Sequence, residues 1–100
     1  MEINMKIVST QGEVLLAAAD SDLIDRDLRE GKLHLKVIPQ FYGETRVSEE
    51  TFLSSMAMCT IANLVGKKVV NLAIHNEFID SENVIYIDGV PHAQFAKLVE

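Results

Sequence analysis

The N-terminal part of the chain alternates apolar and polar residues with the period of two that is typical of a half-buried strand. Residues 3–8 show this alternation, and residues 13–19 form a more continuous apolar run. Gln11 and Gly12 lie between the two runs and are a turn signal. The pattern predicts a β-hairpin, with the second strand central in its sheet.

The next segment carries helix-boundary residues and then another alternating run. Asp20 is a suitable helix N-cap and Gly31 a suitable end, which predicts a short helix or turn within residues 21–30. Residues 32–38 alternate cleanly and predict a third strand. Pro39 would end that strand, because proline cannot donate a hydrogen bond to the ladder.

The middle of the chain has a helical period. Residues 39–47 are interpreted as an irregular loop with two aromatic residues, and Ser48 as the N-cap of the main helix. Gly66 is interpreted as a break, followed by a second helix over residues 67–77. The main helix would bury one stripe of residues three and four positions apart, namely Phe52, Leu53, Met56, Ala57, Ile61 and Leu64.

The C-terminal part returns to a strand. Residues 84–87 are apolar and predict it, Asp88-Gly89 predicts a turn, and Pro91 could begin a helix that runs through Val99. The whole pattern predicts one domain over residues 1–100. Its expected class is α+β, a small sheet of three to four strands with two or three helices packed on one face.

The charge and the cysteine content narrow the range of expected partners and cellular compartments. Nine Lys and Arg face fifteen Asp and Glu, a net charge of −6. Binding to bulk nucleic acid depends on cations that displace counterions, so this balance disfavours RNA without excluding a local basic patch. The same charge opposes binding to an anionic membrane, and no apolar run is long enough to span one. A single cysteine and no apparent leader predict a cytoplasmic protein.

No known catalytic motif is visible. The P-loop, the dinucleotide glycine fingerprint, the nucleophile elbow and the paired-histidine zinc motif are all absent from the sequence. Cys59 is interpreted as a small apolar residue on a buried helix rather than as a nucleophile. The three histidines are far apart without accompanying cysteines. We therefore predict no catalytic residue, no metal and no cofactor.

The third strand is the best electrostatic candidate. Lys32, His34 and Lys36 occupy alternate positions, so their side chains point to one face of the strand. This basic stripe could contact phosphates or an acidic partner surface. The alternative is a solvated outer face, since acidic residues are interleaved with the arginines of residues 25–30.

Three strings carry a family resemblance, namely Phe41-Tyr42-Gly43, Thr60-Ile61-Ala62-Asn63-Leu64-Val65-Gly66 and Gly89-Val90-Pro91-His92-Ala93-Gln94. In this order, over roughly residues 3–94, the chain resembles the archaeal family catalogued as domain of unknown function 424. The resemblance implies a small archaeal cytosolic α+β protein. It brings no established activity or cofactor, and a translation-related or RNA-binding label is sometimes attached to such proteins. It nominates Tyr42, Asn63, His92 and Gln94 as binding candidates.

Three hypotheses remain open from the sequence. The first is a non-catalytic binding module in a protein or ribonucleoprotein assembly, with a translation-related setting. The second is a small enzyme or metabolite-binding protein with a pocket near Tyr42, Asn63, His92 and Gln94, since a pocket needs a few converging polar groups. The third is a homo-oligomer that uses an exposed strand edge or an apolar helix face.

Overall fold

The computed structural model describes residues 2–97, and its first element is the predicted hairpin. Strand β1 (Ile3–Thr10) pairs antiparallel with β2 (Glu13–Asp20). Gln11 and Gly12 form the two-residue turn, with φ of +49° and +84°. Two positive φ values are the type I′ geometry, which matches the twist of the flanking strands. The hairpin predicted from the sequence is confirmed.

A second hairpin, a short helix and a short strand occupy the next segment. They are β3 (Asp27–Glu30), β4 (Leu33–Lys36), α1 (Pro39–Tyr42) and β5 (Thr45–Val47). The short helix or turn expected within residues 21–30 is a single 3-10 turn at Ser21–Leu23. Gly31 does not end it, because β3 follows the turn and buries Leu28 opposite Leu35 of β4. The expected irregular loop over residues 39–47 is wrong as well, since α1 and β5 lie there.

Helices and strands then alternate along the second half of the chain. They are α2 (Glu49–Met58), β6 (Ile61–Val65), α3 (Lys67–His75), β7 (Ile85–Ile87) and β8 (Val90–Ala96). The predicted N-cap at Ser48 is confirmed, because its hydroxyl accepts a hydrogen bond from the N–H of Thr51 at 3.0 Å. No helix in the described residues 2–97 has the length and apolarity needed to cross a membrane.

The strands form a sheet larger than the one we expected. Six of them lie in the order β5-β1-β2-β6-β8-β7, and β3 with β4 forms a separate two-stranded sheet. The pair β2–β6 is parallel and the other pairs are antiparallel. The expectation of a small sheet of three to four strands is therefore wrong, although the class is still α+β.

Two of the strands that the sequence analysis does not predict, β6 and β8, lie in segments that it interprets as helical. The apolar run Ile61–Val65 continues the spacing of α2, but a short apolar run also suits a buried central strand, and here it pairs on both sides. Pro91 lies in β8, not in a helix. The carbonyl of Pro91 accepts from the N–H of Gly66 just beyond the end of β6, so its missing N–H breaks no ladder there. The end of that predicted helix, at Val99, lies outside the described residues.

The two faces of the six-stranded sheet are covered unequally. Helices α2 and α3 bury one face through residues such as Phe52, Met56 and Val70. On the other face, the β3–β4 hairpin and α1 bury a smaller cluster that includes Leu28 and Tyr42. The expectation that all helices share one face is thus wrong for α1. This unequal coverage leaves part of the second face open.

A carboxylate joins the end of β2 to the start of α3. The side chain of Asp20 accepts hydrogen bonds from the backbone N–H groups of Lys68, at 3.0 Å, and Val69, at 2.9 Å. These are two of the helix N–H groups that have no partner within the helix. Burial raises the pKa of this carboxyl above its ordinary value, and the two donors offset only part of that effect. Gly66, with φ of +115°, lies directly against the carboxylate.

We expect Gly66→Ala to be strongly destabilising. A Cβ atom at this position would lie 2.3 Å from Cγ of Asp20, and the positive φ is unfavourable for any residue with a side chain. The variant should lower the free energy of unfolding by roughly 3 kcal/mol or more, because it combines backbone strain with displacement of a buried cap. Urea denaturation followed by circular dichroism measures the change.

Gly31→Ala is the matched control. Gly31 also has a positive φ, of +60°, but no atom lies within 4 Å of the added Cβ. It should cost only about 1–2 kcal/mol, the penalty of left-handed backbone. The Gly66 substitution should also cost less in an Asp20→Ala background, where the clashing atoms are gone. Equal costs in both backgrounds would contradict the proposed contact.

Candidate functional site

Part of the second face of the six-stranded sheet carries no covering element. The strand registers place two rows of side chains there, across β1, β2, β6 and β8. We call these eight residues the open sheet face: Lys6, Ala17, Asn63 and Gln94 in one row, and Val8, Leu15, Ile61 and Ala96 in the next. Ala17 is buried and marks the boundary with the covered part of the face. The eight residues include a pair of amides among mainly apolar side chains.

Helix α1 forms the wall of a shallow cavity on this face. The ring of Phe41 is 46% exposed and packs edge-on against Tyr42, with ring centroids 4.8 Å apart. A cavity of about 160 Å³ separates Phe41 from the sheet, and Val8 is one of its lining residues. The ammonium group of Lys6 donates to the carbonyl of Gln40 at 2.7 Å and so links α1 to β1. The wall is therefore fixed relative to the sheet.

Asn63 and Gln94 are brought together by the sheet. They are directly opposite on β6 and β8, and Nε2 of Gln94 donates to Oδ1 of Asn63 at 2.6 Å. The donor and acceptor groups not used in this bond remain for a ligand or partner. Asn63 therefore lies within a central strand, and not near the end of a helix as we expected.

The other two nominated residues are less accessible. His92 lies in the adjacent row, opposite Val65, and burial lowers the pKa of its imidazole. Tyr42 is only 3% exposed, and burial raises its pKa to about 12. Tyr42, the last residue of α1, packs in the cluster that contains Val65. Thus Asn63, His92 and Gln94 share one face of the sheet, whereas Tyr42 supports that face from inside the core.

The basic stripe lies on a different surface. Lys32, His34 and Lys36 are exposed, and β4 turns its alternate side chains toward the sheet. Nε2 of His34 contacts the carboxylate of Asp27, and Arg29 lies 3.5 Å from the same carboxylate. The hydrogen bond from His34 lowers the pKa of Asp27 below its ordinary value. An acidic side chain thus pairs with part of the stripe, and none of the three stripe residues belongs to the open sheet face.

Sequence reasoning missed the apolar part of the site. Phe41 was noted as a loop aromatic, but Val8 and Leu15 were assigned to strands without a surface role. A signal was present, since Ile7-Val8 and Leu15-Leu16 are apolar on both faces of the hairpin. A hairpin with one face exposed to water would alternate apolar and polar residues instead.

The chemistry available on the open sheet face is that of binding. Its polar groups are two amides and one ammonium, none of which is a general base at neutral pH. Cys59 is fully buried, its thiol donates to the carbonyl of Met56 at 3.4 Å, and burial raises its pKa. Within residues 2–97, no three His, Cys, Asp or Glu side chains converge as metal ligands would.

We expect His92 to make stability depend on pH. Because burial lowers its pKa in the folded state, the unfolded chain binds the proton more readily, at the ordinary value near 6.5. Its contribution is full above that pH and decreases as pH falls below it. The free energy of unfolding should therefore drop between about pH 7.5 and about pH 5.5, and His92→Gln should drop less. Urea denaturation at both pH values tests this.

His75→Gln is the matched control, because His75 is exposed on α3. This variant shows what the loss of an exposed histidine does to the slope, for comparison with His92→Gln. If His92→Gln and the wild-type protein had the same slope with pH, the burial of the imidazole would not be what couples folding to protonation.

Comparisons with known proteins agree with this fold. The chain is similar to an uncharacterised conserved protein from Methanopyrus kandleri, whose crystal structure superposes with a TM-score of 0.82. The two chains are 18% identical, and the match covers 100% of this chain and 96% of the other. No curated protein matches the sequence. A family profile described as "Protein of unknown function (DUF424)" matches residues 8–98, and the chain therefore belongs to that family, as its three strings indicated.

Proposed function

We propose that the protein is a non-catalytic binding module whose partner is another protein and whose binding surface is the open sheet face. One observation carries the proposal. Two exposed apolar side chains, Val8 and Phe41, lie on the same face of the four central strands as the hydrogen-bonded amides of Asn63 and Gln94. Apolar patches beside a few oriented polar groups are typical of protein–protein contacts.

The rigidity of the surface supports binding rather than catalysis. Backbone hydrogen bonds hold β2 and β6 on both sides, whereas β1 and β8 are each paired on their outer side over only three residues. A surface on paired strands loses little conformational entropy when a partner binds. The exposed aromatic ring of Phe41 is a suitable anchor, because aromatic side chains contribute large contact areas at interfaces.

Charge favours a protein partner over RNA. Lys6 is the one ionised residue among the eight of the open sheet face, and its ammonium already binds the carbonyl of Gln40. Electrostatic attraction to phosphates needs several unneutralised cations. The basic stripe of Lys32, His34 and Lys36 lies outside this face. We therefore propose that the protein joins a cytoplasmic protein or ribonucleoprotein assembly, with a translation-related setting, through a protein contact.

A metabolite-binding protein or small enzyme is the second candidate. Its support is that Asn63, His92 and Gln94 share one face. Its weakness is space, because the cavity of about 160 Å³ is smaller than the roughly 300–1,000 Å³ of most ligand pockets. Tyr42 is also too buried to contact a ligand directly.

Affinity purification of the tagged protein from native extract, with and without ribonuclease, tests the proposal. Phe41→Glu places a charge in the apolar patch, so we expect it to reduce capture of the identified protein partners by about tenfold or more. Met58→Glu is the matched control, because Met58 is exposed at the end of α2. Capture should survive ribonuclease.

Lys32→Glu combined with Lys36→Glu tests the competing surface. Under our proposal this double variant captures the same proteins as the wild type. Partners that vanish with ribonuclease, or with the double variant but not with Phe41→Glu, would overturn the proposal in favour of RNA binding through the basic stripe. Purification without any partner would favour the metabolite pocket.

A further inference from the structure

Strand β1 has a free edge over more than half its length. On the side away from β2, β5 pairs with β1 only at Ile3–Met5. The remaining segment, Lys6–Thr10, has no strand partner on that side within residues 2–97. We call this segment the free edge. It is continuous with the open sheet face, because Val8 belongs to both.

The turn geometry fixes which backbone groups the free edge offers. In a type I′ hairpin the closing pair, here Thr10 and Glu13, exchanges both of its backbone hydrogen bonds. Alternate residues of β1 therefore bond to β2, and those between them point outward. Ile7 and Ser9 are the outward pair. The same parity holds on β2, where the N–H and C=O of Val14 point away from β1 and bond to Thr60.

Beyond Lys6, the free edge carries none of the usual protection against another strand. Natural edges are protected by charged residues, proline or bulges. Beyond Lys6 the segment reads Ile7-Val8-Ser9-Thr10, without a charge or a proline, and β1 pairs with β2 without a bulge. Ile7 is 43% exposed and Val8 is 42% exposed, on opposite faces of the strand. Both faces of an added strand would thus meet apolar side chains.

We propose that the free edge pairs with the free edge of a second copy of this chain, in an antiparallel arrangement with a two-fold axis at Val8. Ile7 of each copy would exchange both backbone hydrogen bonds with Ser9 of the other. The two Val8 side chains would face each other as a non-hydrogen-bonded pair, the closer type of cross-strand neighbour.

Self-complementarity favours a second copy over an unrelated strand. The free edge has five residues, and its outward pair lies symmetrically around the central Val8. A two-fold axis there pairs the whole free edge with itself, Lys6 opposite Thr10 of the other copy. In this arrangement the β1–β2 hairpin of the other copy turns at its Gln11. That turn lies at the level of Met5, where β5 begins to occupy the edge. No like charges are placed opposite each other.

The dimer would change the binding surface. A two-fold axis perpendicular to the sheet keeps the two open sheet faces on the same side, so they become one surface with the two Val8 residues at its centre. Each copy then contributes residues to one continuous site, with a Phe41 wall on either side of the axis. This inference stands independently of the proposed partner, since it depends only on the free edge.

Sedimentation equilibrium tests the dimer. The protein concentration should run from about 10 μM to about 1 mM, because a pair of five-residue strands buries less than the roughly 1,200 Å² of surface typical of stable interfaces. Val8→Lys and Val8→Glu each place like charges at the two-fold axis, so each variant alone should dimerise roughly tenfold more weakly than the wild type. An equimolar mixture of the two should recover the association, because the opposite charges then face each other.

Two further variants locate the contact. Ser9→Pro removes an outward N–H and leaves the hydrogen bonds to β2 intact, so it should weaken the dimer without unfolding the chain. Tyr86→Lys, on the opposite edge strand β7, is the control and should dimerise like the wild type. A monomer throughout the concentration range would overturn the proposal, as would a dimer that is indifferent to Val8 and Ser9. The proposed protein partner is tested separately, by Phe41→Glu.

Discussion

The carboxylate of Asp20 is the constraint on which the rest of the structure depends. It ends β2 and supplies the N-terminal cap of α3, although the two elements are far apart in sequence. Gly66 allows this approach because it has no side chain and adopts a positive φ. The contact holds β6, the strand just before Gly66, beside β2 in parallel register. A parallel pair needs a crossover connection, and this carboxylate holds the C-terminal ends of the two parallel strands together.

That register determines what the sheet presents on its second face. Pairing of Ala17 with Asn63 places the amide in a row that ends with Gln94 on β8. Small residues in β2, such as Ala17 and Ala19, let the β3–β4 hairpin and α1 pack closely on part of this face. The carboxylate of Glu30 accepts from the N–H of Asp88 at 2.7 Å and ties that hairpin to the β7–β8 turn. The β3–β4 hairpin and α1 therefore cover the face near the C-terminal end of β2. The rows of side chains nearer the Gln11-Gly12 turn stay open.

The features that the sequence predicted correctly are those with local causes. The β1–β2 hairpin follows from alternation and a two-residue turn, and the start of α2 follows from the N-cap at Ser48. The predicted number of strands was wrong because the strand conformation of β6 and β8 depends on neighbouring strands that are distant in the chain. An apolar run such as Ile61–Val65 satisfies helix and strand spacing alike, and only pairing with β2 and β8 decides between them. For the same reason Asn63 and Gln94 could be nominated singly, but their hydrogen bond could not be predicted.

The open sheet face and the free edge have one physical origin, in the short segment that follows β4. Helix α1 has four residues and covers only part of the face beside Phe41, and β5 has three residues and pairs with less than half of β1. Asn4 holds this segment in place, since its buried amide donates to the carbonyl of Gly43 at 2.9 Å. Gly43 itself lies against the backbone of Met5 so closely that a Cβ atom would be 2.3 Å from the carbonyl oxygen. The chain can therefore neither shift along β1 nor extend its cover, and the apolar residues beyond Met5 are left for a partner.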